Sequence, residues 1–131
     1  MTTSARVWRE KAHRYRLEGN RCKKCGKTWV PSRLVCACGA HGLSPVTLPE
    51  EGKIITWTVV HTGHPEFADG TPYALAVVEF GKGARLLMQL ADFRREDLKI
   101  GRKVRVEFRK IQAAGESGVL CYGYKAVACS E

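Results

Sequence analysis

From residue 53 onward the apolar positions follow the two-residue period of half-buried strands. "KIITWTVVH" (residues 53–61) is rich in β-branched residues and places Ile55, Trp57 and Val59 on one face. "YALAVVEF" (73–80) is almost continuously apolar, as a strand covered on both sides would be. A short "GKG" turn leads into "ARLLMQLA" (84–91). "RREDLKIG" (94–101) reads as a helical turn ending at Gly101. "KVRVEFRKI" then alternates strictly, predicting Val104, Val106 and Phe108 inward and Arg105, Glu107 and Arg109 outward. "GVLCYGYKAV" (118–127) is the last predicted strand. Between the first two strands lies "TGHPEFADGTP" (62–72), long for a hairpin and of the kind that often carries function.

Five strands, with a short helical element between the third and fourth, match the five-stranded Greek-key barrel of the OB-fold. An SH3-like barrel has the same strand count. The period changes toward the N-terminus. Trp8, Ala12 and Tyr15 recur at helical spacing, predicting a helix over residues 4–17 that ends at "EGN" with Gly19 as its cap. So few apolar residues make a helix that is marginal alone and needs a surface to dock on. "LSPVTLPEEG" (43–52), with two prolines and a glycine, reads as a connector. The expected architecture is therefore mainly β: an N-terminal docking helix (1–19), a cysteine module (20–45) and a barrel (46–131).

That module, "RCKKCGKTWVPSRLVCACG", holds four of the chain's six cysteines. A C-x-x-C pair, ten intervening residues and a second pair followed by glycine is the spacing of a rubredoxin-like zinc ribbon. Gly26 and Gly39 follow the second cysteine of each pair, where a left-handed residue turns backbone N–H groups toward sulfur. Arg21, Lys23, Lys24 and Lys27 are expected to favour the metal-binding thiolates. The predicted zinc ligands are Cys22, Cys25, Cys36 and Cys38. "CGAH" also sets Cys38 and His41 two residues apart, so His41 replacing one cysteine is an alternative. Cys121 and Cys129 read as small hydrophobes of the last strand.

Charge sharpens the division. Residues 1–35 contain ten Lys/Arg against two Asp/Glu; the remainder contains twelve against eleven. The basic N-terminal third suits an acidic or phosphate-bearing partner. No apolar run reaches the roughly 20 residues needed to span a bilayer, and no signal-peptide pattern opens the chain, so a cytoplasmic protein is expected. No Ser/His/Asp, paired-carboxylate or dinucleotide signature is present, which argues against an autonomous enzyme. His61 and His64, in the long loop, read as contacts to a ligand or partner.

Helix, ribbon and barrel in this order resemble the zinc-ribbon OB-fold proteins that accompany thiolase-fold enzymes acting on acyl-CoA. The resemblance rests on "RYRLEGNRCKKCGKTWVPSRLVCACG", "GKIITWTVVHTGHPEF", "PYALAVVEFGKGARLLMQL" and "IGRKVRVEF". The family's ribbon usually carries two C-x-x-C pairs, and the Cys36/Cys38 pair departs from that. "WREKAHRYRLEGNRC" looks most like archaeal members that associate with acetoacetyl-CoA thiolase and hydroxymethylglutaryl-CoA synthase. The resemblance implies a non-catalytic bridging subunit that helps channel the acyl-CoA intermediate toward the mevalonate pathway and isoprenoid biosynthesis. Trp8, Arg14, Tyr15 and Arg16 are then the expected partner contacts. His61, His64, Phe67 and Tyr73 are expected to face the second partner or CoA.

Two other readings compete. A ribbon joined to an OB barrel can bind nucleic acid, but the barrel portion is nearly neutral, and Tyr122 and Tyr124 are its best stacking pair. A subunit of a heteromeric acyl-CoA hydratase or lyase needs an acid–base residue, for which His61 and His64 are the candidates.

Overall fold

The computed structural model describes residues 4–9, 15–65, 70–113 and 120–129. Its centre is a closed barrel of five strands: β4 (Glu51–Val60), β5 (Tyr73–Phe80), β6 (Ala84–Ala91), β7 (Lys103–Ala113) and β8 (Leu120–Ala128), in the order β4-β5-β6-β8-β7. All pairings are antiparallel except β6 with β8, which run parallel over Leu90–Ala126 and Ala91–Val127. The expected "YALAVVEF" and "ARLLMQLA" strands coincide with β5 and β6. The turn expected between β6 and β7 is a 3-10 helix at Arg95–Asp97. This is the OB-fold arrangement rather than the alternative barrel.

A second, three-stranded sheet precedes the barrel, with β1 (Glu18–Arg21) between β2 (Thr28–Trp29) and β3 (Ser44–Thr47). β3 lies inside the stretch expected to be a connector. It pairs with β1 along its whole length, because Val46 and the β-competent Thr47 outweigh Pro45, which sits at the sheet edge. The two sheets share one core. Leu17 and Leu48 are buried in the same cluster as Ile54, Val78, Phe80 and Val104, with Val30 packed against it. Leu48 N–H donates to the Leu17 carbonyl at 3.1 Å, closing the seam. Full burial of a Phe80-sized side chain is worth about 1.5–3 kcal/mol, so this cluster positions the ribbon on the barrel.

Three local expectations compare with the structure as follows. First, of the helix expected over residues 4–17, the structure describes α1 (Ser4–Arg9) and a helical pair at residues 15 and 16, and residues 10–14 lie outside the described residues. Second, Gly19 does not cap a helix. Leu17 takes the left-handed conformation (φ 49°) and turns the chain into β1, while Gly19 sits in mid-strand. A Cβ there would fall 2.5 Å from the Trp29 carbonyl oxygen, so glycine is required by close strand approach.

Third, β4 contains a bulge between Ile54 and Thr56. It shifts the alternation by one, so Ile54, opposite buried Val78, takes the core position in place of Ile55, while Trp57 and Val59 keep the predicted phase opposite buried Ala76 and Ala74, with Trp57 still 40% exposed. Phe108 has the predicted inward phase but is 47% exposed. β7 meets β4 only over Lys103–Arg105, so the β7–β8 hairpin runs past the barrel rim and carries Phe108 beyond the core. There Tyr15, Tyr122 and Tyr124 surround it, with ring centroids at 5.0, 5.6 and 5.8 Å.

Candidate metal centre and adjoining surfaces

Each cysteine pair is shaped by its own backbone turn. Gly26 N–H donates to the Cys22 carbonyl at 3.0 Å, and Cys22 N–H to the Lys27 carbonyl at 2.9 Å. Gly39 N–H donates to the Cys36 carbonyl at 2.9 Å, and Cys36 N–H to the Ala40 carbonyl at 3.0 Å. Gly26 and Gly39 have φ of 72° and 78°, the left-handed conformation expected of them. The two turns bring four sulfurs together, all within 4.8 Å of one another. Cys22 and Cys38 Sγ are 3.6 Å apart, and Cys25 and Cys36 Sγ 3.4 Å. In a tetrahedral four-thiolate zinc site, with Zn–S near 2.3 Å, sulfurs are about 3.8 Å apart. The donor set therefore fits zinc: Cys22 and Cys36 are buried, and Cys25 and Cys38 reach solvent. His41 is not among the clustered ligands; it bridges back to Val35 across the second turn.

Backbone amides lead the lowering of the Cys22 and Cys36 thiols. Cys22 is lowered chiefly by the Cys25 N–H, assisted by that of Lys24. Cys36 is lowered to about 6 by the Cys38 N–H and then by the Trp29 indole. Cys25 moves the other way: the Lys27 N–H draws it down, but proton sharing with Cys36 and desolvation push it up to about 11. Arg21 donates its Nε to the Gly26 carbonyl at 3.1 Å, bracing the first turn.

Sequence reasoning missed a supporting shell. Trp29, on β2, donates its Nε1–H to Cys36 Sγ at 3.3 Å. The Arg33 guanidinium lies 4.1 Å from the Trp29 ring centroid. Asn20, a buried polar residue of β1, holds Arg33 from both sides. Its Oδ1 accepts from Arg33 N–H at 3.1 Å, and its Nδ2 donates to the Arg33 carbonyl. The available signal was a tryptophan between the two cysteine pairs, where no other Phe, Tyr or Trp occurs.

The remaining candidate residues are dispersed. Trp8 is 72% exposed on α1. Tyr15 packs on Phe108, and its carbonyl accepts from Tyr124 Oη–H. Arg16 is exposed and pairs with Glu18 at 3.6 Å. His61 and His64 are exposed in the loop after β4, and half-buried Tyr73 opens β5 opposite Val60. Arg14 and Phe67 lie outside the described residues, as does the side chain of Cys121. Cys129 is half-buried, and its carbonyl accepts from Arg102 Nη2 at 3.0 Å. Among the described residues no helix is long and apolar enough to cross a membrane.

Residues 45–109, most of the barrel, match the ChsH2 C-terminal OB-fold domain. A DUF35 domain-containing scaffold protein of Methanothermobacter thermautotrophicus is 39% identical over 127 residues, covering 95% of this chain and 96% of that one. The chain belongs to the DUF35 scaffold protein family. The benzoylsuccinyl-CoA thiolase subunit BbsA of Geobacter metallireducens is 31% identical over 74 residues, which is 56% of this chain and 49% of BbsA. The solved Ltp2-ChsH2(DUF35) aldolase superposes with a TM-score of 0.67 at 25% identity, covering 92% of this chain and 91% of that one.

Proposed function

We propose that this DUF35 chain is a non-catalytic scaffold subunit that bridges an acetoacetyl-CoA thiolase and a hydroxymethylglutaryl-CoA synthase. The observation that carries the reading is the near full-length likeness to an archaeal scaffold protein. The thiolase subunit among its relatives, and the aldolase sharing its fold, point to acyl-CoA enzymes as the partners.

Within this reading, Cys22, Cys25, Cys36 and Cys38 hold one zinc ion. Four protein thiolates close the coordination sphere, so the metal supplies folding energy to a module with little core rather than an open site for substrate. The N-terminal segment with Trp8, Arg14 and Arg16 meets one enzyme. The loop bearing His61, His64 and Phe67, together with Tyr73, faces the other, near its CoA entrance. Held together, the two active sites pass acetoacetyl-CoA to the synthase and on toward mevalonate in the cytoplasm.

The test is a coupled assay with purified thiolase and synthase, with and without this chain. The chain alone is expected to turn over neither acetyl-CoA nor acetoacetyl-CoA. Added to both enzymes, it is expected to cut the free acetoacetyl-CoA pool and the lag before hydroxymethylglutaryl-CoA appears. Unchanged lag and pool at saturating chain refute the bridging role. Turnover by the chain alone that vanishes in His61→Ala or His64→Ala favours a hydratase-type subunit instead.

A further inference from the structure

The ribbon carries a surface that zinc binding does not explain. Between Gly19 and Pro49 there is no aspartate or glutamate, but there are five lysines and arginines: Arg21, Lys23, Lys24, Lys27 and Arg33. All five are exposed. A zinc ion with four thiolates has a charge of −2, and two negative charges against five positive ones leave the module at +3. Lys23 and Lys24 belong to the first cysteine turn, whose Cys25 sulfur lies 3.4 Å from that of Cys36, where the chain enters the second turn.

That entering chain projects Leu34, 91% exposed, next to Val35, 43% exposed, and exposed Pro31. This apolar ridge is held in place. Asn20 clamps both backbone polar groups of Arg33, Arg33 lies over Trp29, Val35 bridges to His41, and Cys36 joins the thiol cluster. Leu34 is thus presented on a braced segment, and a pre-organised anchor loses little conformational freedom on binding. Exposed apolar side chains on a module that carries five exposed cations and no acidic residue of its own fit a partner of opposite pattern.

We infer that the ribbon tip is a docking surface for an acidic protein face bearing an apolar depression, with Leu34 as the inserted side chain and Lys23, Lys24 and Lys27 as its charged rim. Given the scaffold reading, on which this rests, that face belongs to the thiolase-fold enzyme. Rim charges act mainly on association rate and salt dependence, and the inserted side chain mainly on dissociation.

The experiment is surface binding of the full-length, zinc-loaded chain to purified thiolase and synthase, with rates recorded across a salt series. Lys23→Glu/Lys24→Glu is expected to slow association with the thiolase about tenfold or more at low salt and to flatten its salt dependence. Leu34→Asp is expected to speed dissociation by about tenfold or more. Zinc content and melting temperature are measured for each variant. Leu34→Ser replaces Leu34→Asp if the latter loses metal, and Lys110→Glu on the barrel hairpin is the control expected to bind as wild type. Ribbon variants that keep zinc and bind like wild type overturn the inference. So does wild-type binding to an RNA homopolymer that the lysine variant abolishes while enzyme binding stays intact, since the patch is then a polyanion site. If the wild-type chain binds neither enzyme, the scaffold reading itself fails, whatever the variants do.

Discussion

Trp29→Phe isolates one hydrogen bond to the proposed metal centre. The indole N–H lies 3.3 Å from Cys36 Sγ, and phenylalanine retains an aromatic ring beneath Arg33 while removing the donor. A hydrogen bond to a charged acceptor is worth about 1.5–3 kcal/mol. That corresponds to a loss of roughly 10- to 150-fold in zinc affinity, in line with the about 10- to 100-fold typical of residues that orient metal ligands. The assay is competition for zinc against a chromophoric chelator near neutral pH, on protein that keeps its circular dichroism. Trp29→Ala additionally loses the cation–π contact and should weaken binding further, by about 0.5–1 kcal/mol. In the metal-free protein, Cys36, held at about 6 by the Cys38 amide and then the indole, should titrate higher in Trp29→Phe, as read by alkylation rate. Wild-type zinc affinity in Trp29→Phe would refute the assignment of Trp29 as a residue that positions and stabilises Cys36.

Gly19→Ala should destabilise the ribbon by about 1–3 kcal/mol, because its Cβ would meet the Trp29 carbonyl at 2.5 Å and Val30 Cγ2 at 2.8 Å; urea titration of the zinc-loaded protein measures it. Phe80→Ala, in the shared core, should cost about 3–5 kcal/mol and loosen ribbon and barrel in one transition. Phe108→Ala removes a half-exposed ring and should cost about half as much, a difference visible in the same titration. Arg102→Ala breaks both the 3.2 Å pair with Asp97 and the bond to the Cys129 carbonyl. Its expected cost of about 1–3 kcal/mol should appear as faster amide exchange at the end of β8.

What could be read from residues alone follows from how local each determinant is. β5 and β6 are legible because two largely apolar runs joined by a glycine turn admit few alternatives. The cysteine cluster was legible because ligand spacing is itself the geometric requirement. The β4 bulge was not, since one extra residue leaves no mark in composition yet exchanges the roles of Ile54 and Ile55. Phe108 had the correct phase but the wrong burial, because alternation reports the face of a strand and not where the barrel ends. Gly19 reads as a helix cap, a common role for glycine, but its actual requirement, the approach of Trp29, depends on a residue ten positions away. The Asn20–Arg33–Trp29–Cys36 support was invisible for the same reason: three residue types without metal chemistry of their own become relevant only once β1 and β2 pair.

If this chain joins two enzymes that do not otherwise associate, light scattering on the size-exclusion peak of equimolar thiolase, synthase and scaffold should give the mass of a single species containing all three chains. Without the scaffold the two enzymes should elute separately. Thiolase and synthase co-eluting in its absence, or the scaffold eluting apart from both, would rule out the bridge.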